Sequence, residues 1–379
     1  MKRVRDAALG LAVLLGTGAQ AQEIDLPRQL SWTAYDTGSG GFNQAVAIGG
    51  EIQKATGTSL RVLPGKNDVS RTEPLRQGRV QFSATGVGGS FMAQEGAFEF
   101  GEQKWGPQPI RLLLANNSGD IGLSVAVAGD LGIESYADLK GKRIAWITGA
   151  PGLNVNMDAY LAYAGLTWDD VTRVDFGGYS ASWQALMDGQ VDAVFTSTNS
   201  GPAYEAASSP RGISWPSMDP NDDEAFERLT TIAPFFSKTR MTVGANLDGT
   251  EGVDGAAYPY PVLIAMAETE EDLVYNMTKA MIELFPTYDG KVPGISGWAL
   301  DRQNFEWVVP YHDGAIRYFK EAGVWSDAAQ AHNDALVGRQ QTLKAAWDKL
   351  VAENPEDWEA AWGEARRKAL ADAGLQVVF

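Results

Sequence analysis

The stretch AYDTGSGGFNQAVAIGGEI, residues 34–52, links the end of an apolar run to the start of an amphipathic segment. The apolar run Leu30–Ala34 predicts a strand, and Gln44–Thr56 predicts a helix. The glycines between them permit a tight turn in which backbone N–H groups closely approach a ligand. A helix start adds free amides and a partial positive charge. The stretch therefore predicts a strand–turn–helix unit whose turn can hold an anion, with a purely structural tight turn as the alternative.

The same order of strand, loop and helix recurs three times along the chain. The loops ATGVGGS, TGAPGLNVN and TSTNSGP begin at Ala84, Thr148 and Thr196, and each follows a predicted strand. The first glycine turn continues into Phe42 and Asn43 rather than the Gly-Lys-Ser/Thr of a nucleotide phosphate loop, which argues against a nucleotide. Together the four loops predict uncharged hydrogen-bond donors around a small polar anion, held without covalent chemistry.

The wider pattern alternates short apolar runs with amphipathic stretches, which is typical of a parallel sheet flanked by helices. A second unit of this kind begins near Ile121. We expect an α/β fold of two lobes, a type II-like solute-binding architecture, with hinge strands near Gly122–Ala128 and Pro261–Ala267 and a helical C-terminal extension. The predicted domains are a signal peptide at 1–21, lobe 1 at 22–122 and 262–379, and lobe 2 at 123–261.

Residues 1–21 have the features of a secretory signal peptide. A basic start at residues 2–5 precedes the apolar run Ala7–Gly16, and Ala19 and Ala21 have the spacing that a signal peptidase reads. The apolar run is too short to span a bilayer. The sequence therefore predicts cleavage after Ala21 and a periplasmic protein, with a signal anchor as the alternative.

Composition excludes several classes of function. The 379-residue chain has a formal net charge of −17, so its surface repels nucleic acid and anionic lipid head groups. It contains no cysteine, which excludes disulfides, thiolate nucleophiles and cysteine-type metal sites. Apolar residues make up 44%, enough for a sizeable core. The sequence thus indicates a globular protein whose partner is a small molecule.

Catalytic and metal-binding interpretations lack the residues they need. The chain has two histidines, His312 and His332, and neither belongs to a metal-ligand motif. His312 lies at a loop-to-helix junction and is expected to cap the helix, whereas His332 is expected on a solvated helix surface. No nucleophile-elbow serine is present. We therefore predict no enzyme activity, no catalytic residues, no metal and no cofactor.

Between Trp32 and Gly323 the sequence resembles the TAXI-type solute receptors of TRAP transporters. The family opens with a Thr-Gly-Ser-Thr-Gly-Gly turn and has a Gly-Ala-Pro-Gly-Ser loop, which residues 36–41 and 149–153 resemble. Further similar motifs are DLKGKRIA at 138–145, LMDGQVDAVF at 186–195, EDLVYNMTKAMIE at 271–283 and YHDGAIRYFKEAG at 311–323. Residues 91–108 differ from the family pattern, and the chain beyond Gly323 is longer than that of the family.

The resemblance implies a function in transport. It implies an extracytoplasmic subunit that captures glutamate, 2-oxoglutarate or a related carboxylate between two closing lobes and delivers it to membrane permease subunits. The alternative is a periplasmic sensor that presents its ligand to a membrane receptor kinase. Loops and resemblance together predict the following ligand-binding residues: Tyr35, Ser39, Gly40, Gly41, Phe42, Asn43, Arg71, Thr85, Gly86, Asn154, Asn156, Ser180, Ser197 and Thr198.

Among the predicted ligand-binding residues, Arg71 is the one whose side chain carries a full positive charge. A guanidinium can bind both oxygens of a carboxylate at once. The alternative interpretation is a surface arginine paired with Glu73 or Asp68, whose loss would change stability little. Arg240 is the other arginine considered, and its surroundings give less reason to place it in a cleft.

Overall fold

The structure is a computed structural model that describes residues 23–379, so the predicted signal peptide lies outside the described residues. Strands and helices alternate along the chain as the sequence predicts. The first segment comprises β1 Gln29–Ala34, α1 Gly40–Thr56, β2 Ser59–Pro64, α2 Asp68–Arg76, β3 Phe82–Thr85, α3 Ala93–Glu95 and β4 Ile110–Ala115. The second comprises β5 Leu123–Ala128, β6 Arg143–Ile147, α4 Pro151–Tyr163, β7 Thr172–Phe176, α5 Tyr179–Met187, β8 Ala193–Ser197, α6 Gly201–Ala207, β9 Ile213–Ser214, α7 Asp223–Ile232, β10 Ser237–Met241 and β11 Val253–Ala257. The third comprises β12 Val262–Met266, α8 Glu271–Glu283, α9 Phe285–Tyr288, α10 Asp313–Glu321, α11 Asp327–Glu353 and α12 Trp358–Asp372.

Two five-stranded sheets define two lobes, which confirms the predicted α/β fold class. The sheet of lobe 1 has the strand order β2-β1-β3-β12-β4, and the sheet of lobe 2 has the order β7-β6-β8-β5-β9. Strands β10 and β11 form a separate two-stranded antiparallel ribbon. The domain boundaries 22–122, 262–379 and 123–261 stay a prediction, which the membership of β5 and β12 in opposite sheets favours.

The expectation of parallel sheets is wrong in one respect, because each sheet contains a strand that runs against its neighbours. Strand β12 is antiparallel to β3 and β4, and β5 is antiparallel to β8 and β9. These are the strands with which the chain enters the other lobe. A chain that crosses between lobes reaches the second sheet at the edge where the parallel strands end, so it must run in the opposite direction.

Helix α1 begins four residues earlier than predicted, directly after the glycine turn. The Ser39 side chain accepts a hydrogen bond from the Phe42 backbone N–H at 3.3 Å and caps the helix. Gly38 in the turn has φ 85°, a conformation that favours glycine. The helix ends at Gly57, which has φ 76°.

Helices α11 and α12, the C-terminal extension, pack against residues 93–108 of lobe 1. The fully buried Glu95 binds the guanidinium groups of Arg339 and Arg366. The Trp362 indole donates a hydrogen bond to the Gly96 carbonyl at 2.6 Å. The two regions that differ from the family pattern, 91–108 and the long C-terminal part, therefore stabilise each other.

Candidate functional site

The carboxyl ends of the parallel strands of both lobes face each other across an interlobe cleft. The loop after β1 in lobe 1 contacts α5 and α6 in lobe 2. The Ser180 hydroxyl donates to the Asp36 carboxylate at 2.6 Å, and the Gly201 N–H donates to the Gly38 carbonyl at 3.2 Å. These hydrogen bonds between lobes hold the protein in a closed arrangement.

A small cavity lies inside the closed cleft. Its volume is about 20 Å³, which is enough for about one water molecule. Its walls are mainly aromatic rings, aliphatic side chains and hydroxyl groups, and both lobes contribute. The lining residues are Tyr35, Ser39, Gly40, Leu123, Leu153, Tyr179, Phe195, Thr196, Ser197, Ser200, Tyr258 and Tyr260.

Tyrosines supply four of the eight side-chain hydroxyls at the cavity. The Tyr179 hydroxyl is hydrogen-bonded to Thr196 Oγ1 at 2.7 Å and to Ser200 Oγ at 2.6 Å. The Tyr35 and Tyr260 rings meet edge to face with centroids 5.4 Å apart. Burial raises the pKa of Tyr35, Tyr179 and Tyr260 above the ordinary tyrosine value, so these phenols stay neutral at physiological pH. The cavity therefore offers neutral hydrogen-bonding groups among apolar surfaces.

Arg71 lies next to the cavity and is 1% exposed, so the interpretation as a surface arginine is wrong. Its guanidinium carbon lies 3.4 Å from the centroid of the Tyr35 ring, which lines the cavity. The predicted alternative partner Asp68 does bind Arg71, whereas Glu73 pairs with Arg76 at 2.9 Å. The Nε atom of Arg71 is buried without a hydrogen-bond partner.

Eight predicted residues line the cavity or adjoin it. Tyr35, Ser39, Gly40 and Ser197 line it directly. The other four adjoin lining tyrosines or pack against them: Asn156 donates to the Tyr258 hydroxyl at 2.8 Å, Gly41 lies beside the Tyr260 hydroxyl, Gly86 lies beside the Tyr35 hydroxyl, and Arg71 covers the Tyr35 ring. Thr85, next to Gly86, is fully buried at the end of β3.

The side chains of the remaining predicted residues make structural contacts in this closed arrangement rather than line the cavity. The Thr198 hydroxyl donates to the Val243 carbonyl at 2.7 Å, and the Asn43 amide donates to the Gly38 carbonyl at 3.2 Å. Phe42 is a partly buried residue packed against the core. Ser180 bridges the lobes through Asp36, as described above. Arg240 is half-exposed and pairs with Asp254 on the β10–β11 ribbon, away from the cavity, as expected.

Asn154 holds the end of β6 to the start of α4. Its side-chain oxygen accepts from the Ile147 N–H at 3.0 Å, and its amide donates to the Ile147 carbonyl at 2.9 Å. We expect Asn154→Ala to lower the free energy of unfolding by about 1–3 kcal/mol, because two buried backbone groups lose their partners. Urea unfolding measures this loss. If Asn154→Ala abolished solute binding at unchanged stability, the side chain would act on the ligand instead.

Tyr179, Tyr258 and Tyr260 line the cavity but are not among the residues predicted from the sequence. The prediction rests on glycines and hydroxyls after strands, whereas Tyr258 and Tyr260 precede β12, the strand that enters its sheet at the cleft. The recognisable signal is the segment AAYPYPV, which places aromatic residues immediately before a buried crossing strand. Tyr179 opens the helix after β7, one residue before the predicted Ser180.

A wider groove lies outside the cleft, between lobe 2 and the C-terminal extension. It encloses about 740 Å³, and its walls combine aromatic side chains, including Trp146 from β6 and Trp358 from α12, with charged side chains such as Glu99 and Arg367. No strand end with hydroxyl donors opens into it. The polar groups of the groove are therefore charged side chains and one glutamine, whereas those of the interlobe cavity are hydroxyls.

Neither histidine lies at the cavity. His312 caps α10 by accepting from the Gly314 N–H at 3.1 Å, which confirms the predicted cap. His332 is partly buried and bonds the Trp307 carbonyl at 2.7 Å, so the expectation of a freely solvated residue is wrong. Within residues 23–379 no cluster of three or more His, Cys, Asp or Glu residues could hold a metal ion. In the same range, every helix is too short or too polar to cross a membrane.

The protein has two sheets of mixed strand direction, each flanked by helices, and their strand ends enclose a buried cavity. This arrangement defines the class of two-lobe solute-binding proteins. The model of the NMT1-like family matches residues 44–323. The chain therefore belongs to the NMT1-like family.

Solved structures with a similar arrangement include several solute-binding proteins. An ancestral arginine-binding protein bound to arginine is 17% identical, with a TM-score of 0.43 and coverage of 72% of this chain and 99% of that one. The alkanesulfonate-binding protein SsuA from Xanthomonas axonopodis pv. citri, bound to MOPS, is 15% identical, with a TM-score of 0.46 and coverage of 90% and 98%. A periplasmic binding protein from Brucella ovis with glutathione bound is 15% identical, with a TM-score of 0.44 and coverage of 70% of each chain.

Proposed function

We propose that the protein is the periplasmic solute-binding subunit of a TRAP-type uptake system, which captures a small organic carboxylate and delivers it to membrane permease subunits. The observation that carries this proposal is the neutral, hydroxyl-lined cavity enclosed between two lobes. The resemblance to TAXI-type receptors supports the transport partner and implies glutamate, 2-oxoglutarate or a related carboxylate as the solute.

The position of the cavity suits an anion. Gly40 and Tyr179, the first residues of α1 and α5, both line it. Helix starts carry partial positive charge, so a carboxylate is stabilised near them even in a strongly acidic protein. Ser39, Ser197 and Ser200 also line the cavity and present hydroxyls to the same group. In this closed arrangement the Ser197 hydroxyl donates to Asn199 Oδ1, and Ser200 Oγ is hydrogen-bonded to Tyr179.

Capture requires the lobes to move. A cavity of about 20 Å³ admits no solute of several heavy atoms, so the lobes must separate for entry. The polar contacts across the cleft, such as Ser180 to Asp36, can form only in the closed state. A solute that binds both lobes shifts the population toward closure, and the closed surface is what a permease would recognise.

A thermal-shift screen tests the proposal. Small carboxylates should raise the melting temperature, whereas sugars and nucleotides should not. A ligand at about 100 times its dissociation constant adds about 2.7 kcal/mol to the free energy of unfolding. Stabilisation by sugars alone would contradict the carboxylate proposal.

A matched pair of serine variants tests whether the solute binds in the cavity. Ser197→Ala removes a cavity hydroxyl and should weaken the best ligand by about 1 kcal/mol, roughly fivefold. Ser208→Ala removes an exposed hydroxyl after α6 and should leave the affinity unchanged. Equal effects of the two variants would place the ligand elsewhere.

A further inference from the structure

Asp68, the first residue of α2, connects the two lobes through its carboxylate. One oxygen, Oδ2, accepts a hydrogen bond from the Gly152 N–H in the first turn of α4 at 2.8 Å. The other oxygen, Oδ1, binds the guanidinium of Arg71. The residue is 0% exposed. The Asp68 carboxylate therefore binds two groups at the cleft that could otherwise hold an anion, the start of helix α4 and the guanidinium of Arg71.

The surroundings of Asp68 are shaped to receive it. Helix α4 has no side-chain cap of its own, because its N-cap residue is Ala150, and Asp68 supplies the missing acceptor from the other lobe. Gly88 leaves the space that the carboxylate fills, since a Cβ there would overlap the Asp68 oxygens. A Cβ at Gly152 would lie 2.9 Å from Asp68 Oδ2 and 2.8 Å from the Gly88 nitrogen. The close packing of Gly88 and Gly152 around Asp68 indicates that the fold specifically accommodates a carboxylate at this position.

Arg71 already binds one anion in this arrangement, and its buried Nε has no hydrogen-bond partner. Its Nη2 binds Asp68, and its Nη1 donates to the Gly65 carbonyl at 3.4 Å. Its flat face lies on the Tyr35 ring. A guanidinium with one carboxylate already bound is electrically neutralised, so it attracts a further carboxylate weakly.

A second acidic residue, Glu99, lies near Asp68 in the wall of the groove outside the cleft. Glu99 faces the loop before α4, and burial, together with the Asp68 charge, raises the pKa of its carboxyl. An incoming carboxylate at this end of the cleft would meet the Asp68 carboxylate and an arginine that is already paired with it. The cavity itself is lined by Tyr260, Phe195 and Leu153 together with hydroxyls.

We infer that Asp68 is a built-in carboxylate that determines specificity: it fills the positions a second acidic group would need, so the cleft takes carboxylates with one negative group and an apolar body. Dicarboxylates are disfavoured, because their second carboxylate is buried without a cationic partner. This inference rests on the proposed function and narrows its solute class to monocarboxylates, which argues against glutamate and 2-oxoglutarate, the dicarboxylates that the resemblance implies.

Two keto acids with the same five-carbon chain test the inference. Titration calorimetry compares 2-oxopentanoate, which has one carboxylate, with 2-oxoglutarate, which has two. The wild-type protein should bind 2-oxopentanoate at least tenfold more tightly. In Asp68→Asn the freed Arg71 becomes available to the second carboxylate, so this preference should shrink by at least tenfold or reverse.

A control and a reserve variant keep the test decisive. Asp254→Asn removes a carboxylate from an arginine pair on the β10–β11 ribbon, outside the cleft, and should keep the wild-type preference. Circular dichroism verifies folding, and Asp68→Ser replaces Asp68→Asn if the amide variant does not fold. The ratio of the affinities for 2-oxopentanoate and 2-oxoglutarate is measured on the wild-type protein, so it tests the inference even if neither variant folds.

The outcomes separate the two proposals. Wild-type protein that binds 2-oxoglutarate as tightly as 2-oxopentanoate, or a preference that Asp68→Asn leaves unchanged, would overturn the role of Asp68 and leave the carboxylate transporter standing. Binding of neither keto acid would overturn the carboxylate proposal itself, and the specificity inference with it.

Discussion

Glu95→Ala should lower the free energy of unfolding by about 3–5 kcal/mol, because it leaves two buried arginines without their counter-ion. The Glu95 carboxylate is 0% exposed and binds Arg339 at 2.6 and 2.7 Å and Arg366 at 2.6 Å. Both arginines are less than 10% exposed. A loss of this size is a large fraction of the 5–15 kcal/mol that typically stabilises a domain.

The position of Glu95 predicts which part of the structure Glu95→Ala destabilises first. The residue joins residues 93–108 to both helices of the C-terminal extension, so α11 and α12 should detach before the lobes unfold. Urea unfolding measures the total loss, and limited proteolysis detects cleavage between α11 and α12. The exposed pair of Glu102 with Lys104 supplies the control, since Glu102→Ala should change stability by no more than about 0.5 kcal/mol. Equal stability of the two variants would show that the buried cluster contributes nothing.

The sequence predicted the parts of the fold that depend on local pattern. The strand–turn–helix at residues 34–52 follows from apolar periodicity and from glycines at the turn, and all three of its parts are present. The start of α1 was misplaced because Ser39, rather than the first apolar residue, caps it. The opposed direction of β5 and β12 depends on the edge from which the chain enters each sheet, which periodicity does not encode.

The environments of buried charges could not be predicted from the sequence. Asp68 and Arg71 are buried because α4 of lobe 2, more than 80 residues away in the chain, closes over them. Glu95 and its arginines are separated by more than 240 residues. The residues around Phe91–Gln108 and the C-terminal part were each recognised as unusual, but only the folded chain shows that they contact each other.

The second large effect concerns Arg71. Arg71→Ala should lower the free energy of unfolding by about 3–5 kcal/mol, because it leaves Asp68 buried in the cleft with one backbone N–H as its partner. This reverses the expectation of a small effect, which assumed an exposed arginine.

The pH dependence of Arg71→Ala identifies the cause of its instability. Burial raises the pKa of Asp68 even in the wild-type protein, and the Arg71 charge opposes that rise. Without Arg71 the native pKa rises further, so the folded state keeps a proton that the unfolded chain releases above about pH 4. Stability is then lost as the pH rises, by about 1.4 kcal/mol for each unit between the unfolded and native pKa values. Urea unfolding at pH 5 and pH 8 should therefore show a larger deficit at pH 8.

The double variant Arg71→Ala with Asp68→Asn is the matched control for this prediction. It removes the unpaired carboxylate along with the arginine, so the extra loss between pH 5 and pH 8 should disappear. At pH 8 the double variant should be more stable than Arg71→Ala alone, since a buried neutral amide costs less than a buried charge without a cationic partner. If Arg71→Ala had the same pH profile as the wild-type protein, the Asp68 carboxylate would have to be hydrated rather than buried at the start of α4.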